Sequence, residues 1–137
     1  MAEIIVNYWA VLCAAISGFV IGWIWYGPLF GRQWAKLMKF TSKGLKKMKM
    51  TPAKAMTFGF VSVLVTAYVL AHFVNLLNLT NWGGAAQFAF WAWLGLVAPV
   101  QFGAFLWEGK PLKLFLLNTA HNLVVLIVMS GILAIWR

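Results

Sequence analysis

The chain has 137 residues, 64% of them apolar and only 9% charged, and carries a formal net charge of +9. A water-soluble domain of this length draws about a quarter of its residues from the charged set to cover its surface, so this composition excludes one and names lipid as the solvent. Glu3 and Glu108 are its only acids, and neither lies inside an apolar run, which argues against a cation exporter built on a membrane-buried carboxylate.

The first apolar run, about residues 4–26, starts without the positive charge of a secretory leader and exceeds a leader's usual hydrophobic length, so it reads as a retained membrane span. Cys13, the single cysteine, falls within it, and no intramolecular disulfide is available. Ala14, Gly18 and Gly22 recur every four residues, a small-residue stripe that lets a second helix approach closely. That stripe serves either packing within the bundle or a subunit interface.

The run closes on "GWIWYGPLFGRQW", residues 22–34. Trp23, Trp25, Tyr26 and Trp34 stand where the helix reaches the headgroups, the depth at which amphipathic rings collect. Gly27, Pro28 and Gly31 are expected to stop the helix and turn the chain. A basic loop over 31–52 follows. Arg32, Lys36, Lys39, Lys43, Lys46, Lys47, Lys49 and Lys54 make eight of the eleven basic residues of the chain. Charge gathered in one membrane-flanking loop points to a bilayer surface and not to nucleic acid. Apolar residues alternate with these lysines, so the loop reads in two ways. It is either an interfacial amphipathic segment that holds anionic lipid headgroups, at about 1 kcal/mol per lysine, or a plain charged loop that sets topology.

"TP" at Thr51 and Pro52 offers an N-cap and a first-turn proline for a second span over about 53–79. "TNWGG" leads to a third span over 85–107, and "EGKP" to a fourth over 112–136. Both connections are short, so the helices they join are expected to run as antiparallel neighbours. Pro99 frees the carbonyl of Gly95 and predicts a kink in the third span. The fold class is therefore all-α, a polytopic four-helix bundle forming one membrane domain over 1–137. Ten positive side chains fall on the face shared by the first and third loops, which places that face in the cytoplasm and both termini outside.

Uncharged polar residues are left inside the membrane. At ~1.5 Å per residue from the cytoplasmic helix ends, Gln101 and Asn118 lie about 10 Å deep, and Ser17, Ser62, His121 and Asn122 about 15 Å deep. Asn118, His121 and Asn122 share a face of the fourth helix, and Gln101 lies on a polar face of the third. If those faces meet, they form either interhelical hydrogen bonds or a cavity for a small polar or anionic solute. His72 and His121 differ by about 13 Å in depth, so they share neither a haem nor a zinc ion, and no metal or other cofactor is expected. His72 joins Tyr68 and Asn75 on a face near the outer interface.

"WYGPLFGRQW" (25–34), "LWEGKPLKLFLLN" (106–118) and "GILAIW" (131–136) together resemble the domain of unknown function 1761 family, small bacterial and archaeal proteins with four predicted spans. The resemblance implies four spans in a prokaryotic plasma membrane and marks Trp25, Tyr26, Pro28, Phe30, Gly31 and Trp34 as motif residues. It implies no activity and supplies no catalytic residue. The residues themselves offer no nucleophile and base, no acid pair and no metal constellation. The expected function is thus a non-enzymatic structural or accessory membrane protein, homo-oligomeric, with room for an unspecified partner protein. The alternative is a small channel or carrier routed through Gln101, Asn118, His121 and Asn122. An intramembrane enzyme with His121 as base is the remotest reading.

Overall fold

The computed structural model describes residues 6–38 and 52–136, and the elements found among them are all helical. Helix α1 covers Tyr8–Ile24 and runs into a π-helical turn at Trp25–Leu29, followed by the short helix α2, Gly31–Met38. Helix α3 covers Pro52–Leu76. Helix α4, Trp82–Ala92, continues through a second π-helical turn, Trp93–Val97, into α5, Ala98–Trp107, and α6 covers Leu112–Ile135. Among the described residues four segments are long and apolar enough to cross a membrane: Tyr8–Leu29, Ala53–Leu76, Trp82–Trp107 and Leu112–Ile135. The architecture is an all-α four-helix bundle with lipid-facing Trp, Phe, Leu and Val around its outside.

Local chemistry sets the ends of these helices, and it moves several of the expected boundaries. Asn7 caps α1, its side-chain oxygen accepting from the amides of Trp9 at 3.1 Å and Ala10 at 3.3 Å. Asn81 caps α4 in the same way, accepting from Gly84 at 2.8 Å. The third span therefore begins at Trp82, and "WGG" belongs to the helix rather than to the connection. The second span stops at Leu76, short of the expected Leu79, because Asn78 takes a left-handed φ of 54°. The amide of Leu79 then reaches back to the Val74 carbonyl at 3.0 Å, closing the helix as Asn and Gly do at such ends. Pro52 opens α3 as the sequence predicts, while Thr51 and residues 39–50 lie outside the described residues.

Two expectations about turns are corrected. Gly27 and Pro28 do not stop the first span, since the helix widens around them and the Phe30 amide bonds the Trp25 carbonyl at 2.9 Å, five residues back. Pro28 has no amide to give, and a π turn accommodates the missing bond without breaking the helix. Pro99 acts similarly. The expected disturbance of the third span takes the form of the π turn just before it.

The fourth span is the centre of the bundle. Helix α6 packs against α1, α3, α4 and α5, and α2 reaches it as well. It runs antiparallel to α1, as the Asn7 amide on the Trp136 carbonyl (3.4 Å) at one end and the Trp25 indole on the Leu117 carbonyl (3.2 Å) toward the other require. The core is built from small residues, with Ala10, Ala14, Ala15, Ala67, Ala71 and Ala134 buried beside Val74, Met129 and Leu133. Short side chains at these positions bring the helix backbones close, and dispersion then holds them together.

The second and third spans are not packed neighbours. Their rings touch near the connection, Phe73 to Phe88 at 5.9 Å. Beyond that an apolar groove of about 300 Å³ separates them, with Val65, Val69 and Leu126 on its walls. A short connection ties only the adjoining ends. The third span follows α6 along its length instead, from Trp82 lying on Gly131, through buried Ala85 and Ala89, to the Trp93 indole on the Thr119 carbonyl.

Candidate functional site

The polar residues of the apolar interior gather on α6, and the route to them begins with the small-residue stripe of α1. Ala14 and Gly18 are buried, and Gly18 lies under Met129, Val63 and Val125. Gly22, next on the stripe, faces the imidazole of His121: a Cβ there would stand 3.2 Å from Nε2. Continuing by four residues, the stripe arrives at Tyr26. The stripe therefore packs inside the bundle.

Tyr26 and Trp25 turn inward, and they are not simply interfacial rings. The Tyr26 hydroxyl donates to Asn118 Oδ1 at 2.6 Å, and the Trp25 indole N–H donates to the Leu117 carbonyl at 3.2 Å. Both rings lie against His121, with centroids 4.9 Å and 5.9 Å away. Trp23, by contrast, is 67% exposed on the outside of the helix. Phe30 packs on Trp25 at 4.8 Å. Gly31 sits so close to the Tyr26 carbonyl that a Cβ would come within 2.7 Å of it, so this glycine is needed for a close approach. Pro28 is exposed. The side chain of Trp34 lies outside the described residues.

A parallel arrangement holds the third span. The Trp93 indole donates to the Thr119 carbonyl at 2.8 Å, and the Thr119 hydroxyl donates to Gln101 Oε1 at 3.2 Å. Each π turn thus opens with a tryptophan that binds a carbonyl of α6, two residues apart on that helix. Extra backbone width at a π turn moves the side chains around it off the ideal helical positions, which is why such turns accompany functional or strained contacts.

The nominated residues are therefore only partly brought together. Asn118 and Gln101 line one small pocket of about 110 Å³ with Lys110 and Leu114. His121 and Asn122 line a different, open-sided cavity of about 270 Å³, walled mainly by Gly18, Val63, Val125 and Met129. Ser17 is half-buried on α1. Ser62 joins neither group: it is exposed on α3, and its hydroxyl donates to the Phe58 carbonyl of its own helix at 3.0 Å. The Nε2 atom of His121 is buried without a hydrogen-bond partner among the described residues, as is the hydroxyl of Ser130. His72 bonds the Tyr68 carbonyl at 2.9 Å and stacks edge-on against that ring at 4.6 Å. Among the described residues no three of His, Cys, Asp and Glu come together as metal ligands.

Residues 9–134 match the family model described as Protein of unknown function (DUF1761). The chain belongs to this family. No curated protein and no solved structure matches it. DUF1761 membership covers nearly the whole bundle, including both π turns and α6 as far as Ala134, and it assigns no reaction to them. Sequence reasoning missed Thr119 and Trp93 and misjudged where Trp25 and Tyr26 point. For Tyr26 a signal was present, since Ala14, Gly18, Gly22 and Tyr26 are spaced by four. For Trp93 and Thr119 there was none, because both look like ordinary span residues.

The bond from Tyr26 to Asn118 is expected to act as a clamp between α1 and α6. A double-mutant cycle of Tyr26→Phe and Asn118→Leu should give a coupling of about 0.6 kcal/mol, with about 1.7 as the upper limit for membrane side-chain pairs. Reversible unfolding in mixed micelles measures it, and additive single effects would remove the clamp.

Proposed function

We propose that this DUF1761 protein is a non-enzymatic structural or accessory protein of a prokaryotic plasma membrane, homo-oligomeric and with both termini outside. The observation that carries this reading is the use made of the interior polar groups. Tyr26 with Asn118, Thr119 with Gln101, and the indoles of Trp25 and Trp93 all tie neighbouring helices to α6. Groups paired in this way hold helices in place and do not line a continuous path. The third span is the face on which a second copy has room to pack: only 6% of its most apolar stretch is buried within the chain, against 28% for the first and fourth spans. Large side chains such as Trp91, Leu96 and Val100 stand free on it, and a second copy would cover them.

The intact mass of the complex, solubilised from native membranes in mild detergent, tests this reading. Several copies of this chain are expected. A stoichiometric foreign protein would make the chain an accessory subunit, and a monomer would remove the oligomer.

A second reading, a small channel or carrier for a small polar or anionic solute, draws on the cavity beside His121 and Asn122. The buried Nε2 there has no hydrogen-bond partner among the described residues, and a buried polar atom of this kind calls for a water, ion or ligand to satisfy it. Vesicles containing the protein are expected to be no leakier to small anions than empty ones. Flux that disappears in Asn122→Leu, with the fold preserved, would reverse the order of the two readings.

A further inference from the structure

A wide groove runs down the outside of the bundle where α2 meets the first turns of α6. It has a volume of about 850 Å³ and its residues divide by chemistry. Gln33 and Lys36 come from α2, and Lys113 from the start of α6. The remaining walls are apolar, with Trp25 and Phe30 on one side and Leu116 and Ala120 on the other. Along α6 the order is Lys113, Leu116, Ala120, so the apolar end lies about 10 Å deeper than the ammonium-bearing residue at ~1.5 Å per residue.

The walls are fixed. The Trp25 indole is held by its bond to the Leu117 carbonyl, and Phe30 packs on the same ring. The π turn at Trp25–Leu29 sets these two rings in place and starts α2 immediately afterwards, at Gly31. A groove with two cations and an amide at its polar end, and a preformed hydrocarbon-lined trough leading inward, has the charge and polarity profile of one particular kind of molecule.

We propose that this groove is a binding site for one anionic glycerophospholipid per chain, its phosphate between Lys36 and Lys113 and one acyl chain along Trp25, Phe30, Leu116 and Ala120. The site is distinct from a general attraction of the basic loop to the membrane. It takes one cation from α2 and one from α6, and it is walled by aromatic rings of the first span. Charge complementarity selects an anionic headgroup over a zwitterionic one, because each lysine near the surface favours the anion by about fivefold. Two lysines together give about 25-fold on the same basis. The inference is independent of whether the chain is a structural protein or a carrier.

Native mass spectrometry of the full-length protein tests it, with the protein delipidated and then titrated with phosphatidylglycerol or phosphatidylcholine. One phosphatidylglycerol per chain is expected to be retained, with phosphatidylcholine bound at least tenfold more weakly. Lys36→Gln with Lys113→Gln should abolish that selectivity. Lys54→Gln with Lys110→Gln removes the same charge outside the groove and should keep it. Leu116→Trp fills the trough with both lysines intact and is expected to lose the lipid. Equal retention of the two lipids, equal loss in the two lysine pairs, or a full lipid complement in Leu116→Trp would each overturn the site. Displacement of the lipid by millimolar inorganic phosphate would overturn it as well, since the groove would then hold a free anion and need no acyl chain.

Discussion

Gly131→Ala is expected to destabilise the bundle by about 1–3 kcal/mol, the usual cost of forcing an extra methyl into a packed site. The six-membered ring of Trp82 lies directly over this glycine, and a Cβ built on Gly131 would overlap it. Gly131 is buried in α6, so the backbone has little freedom to yield, and Trp82 must leave instead. Its departure would release the start of α4 from α6, where Ala85 and Ala89 make the neighbouring contacts. Gly131→Leu should therefore fail to give a monodisperse protein. The rescue is specific. In a Trp82→Ala background Gly131→Ala should cost less than ~1 kcal/mol, because the overlapping ring is gone. Thermal unfolding of the four proteins in one detergent decides it, and a single Gly131→Ala variant as stable as the parent would disprove the contact.

Gly18→Leu is expected to have the second large effect, at or above the upper end of the same range of about 1–3 kcal/mol. Gly18 is where α1, α3 and α6 meet. A Cβ there would stand 2.7 Å from Met129 Sδ, 3.1 Å from Val63 Cγ1 and 3.3 Å from Val125 Cγ1. Met129 is 0% exposed and its β-branched neighbours Val63 and Val125 are stiff, so the thioether can give way only into the cavity beside His121, which a leucine side chain would also need. Gly18→Ala should be milder, and Met129→Ala should recover part of the loss in Gly18→Leu. All three close neighbours belong to the same chain. Hence the substitution should lower stability without first changing the oligomer mass, whereas a subunit-interface role for the stripe would dissociate folded protomers. Intact mass and unfolding, measured on the same sample, separate the two outcomes.

The bundle was legible in the sequence because lipid imposes a coarse rule. Each crossing needs about 20 apolar residues, and four such runs leave little choice. The ends were less legible, because Asn7, Asn78 and Asn81 fix them through caps and a left-handed turn whose geometry does not show in hydropathy. The π turns were not legible at all. Pro28 and Pro99 announced a disturbance, and the sequence could not say whether the helix would stop or widen. Short connections likewise constrain neighbouring ends and not whole helices, so the second and third spans part beyond Phe73 and Phe88. The polar cluster was half visible. Asn118, His121 and Asn122 stood on one face as their spacing requires, yet Gln101 bonds Thr119 and meets only Asn118 of the three, across a small pocket. Assigning aromatic residues to the headgroup region concealed Tyr26, whose spacing from Gly22 already pointed inward.

Helix α6 touches every other span, and it is also the last of the four to emerge from the ribosome. The first three spans enter the bilayer as separately stable helices, and the first two pack directly on each other, Phe19 against Phe60, whereas the third joins the bundle through α6. Attachment of the third span therefore waits for translation to deliver the fourth, and a chain arrested before residue 112 would leave Tyr26, Trp82 and Trp93 without their partners on α6. The order of synthesis thus leaves the third span unattached until α6 is in place.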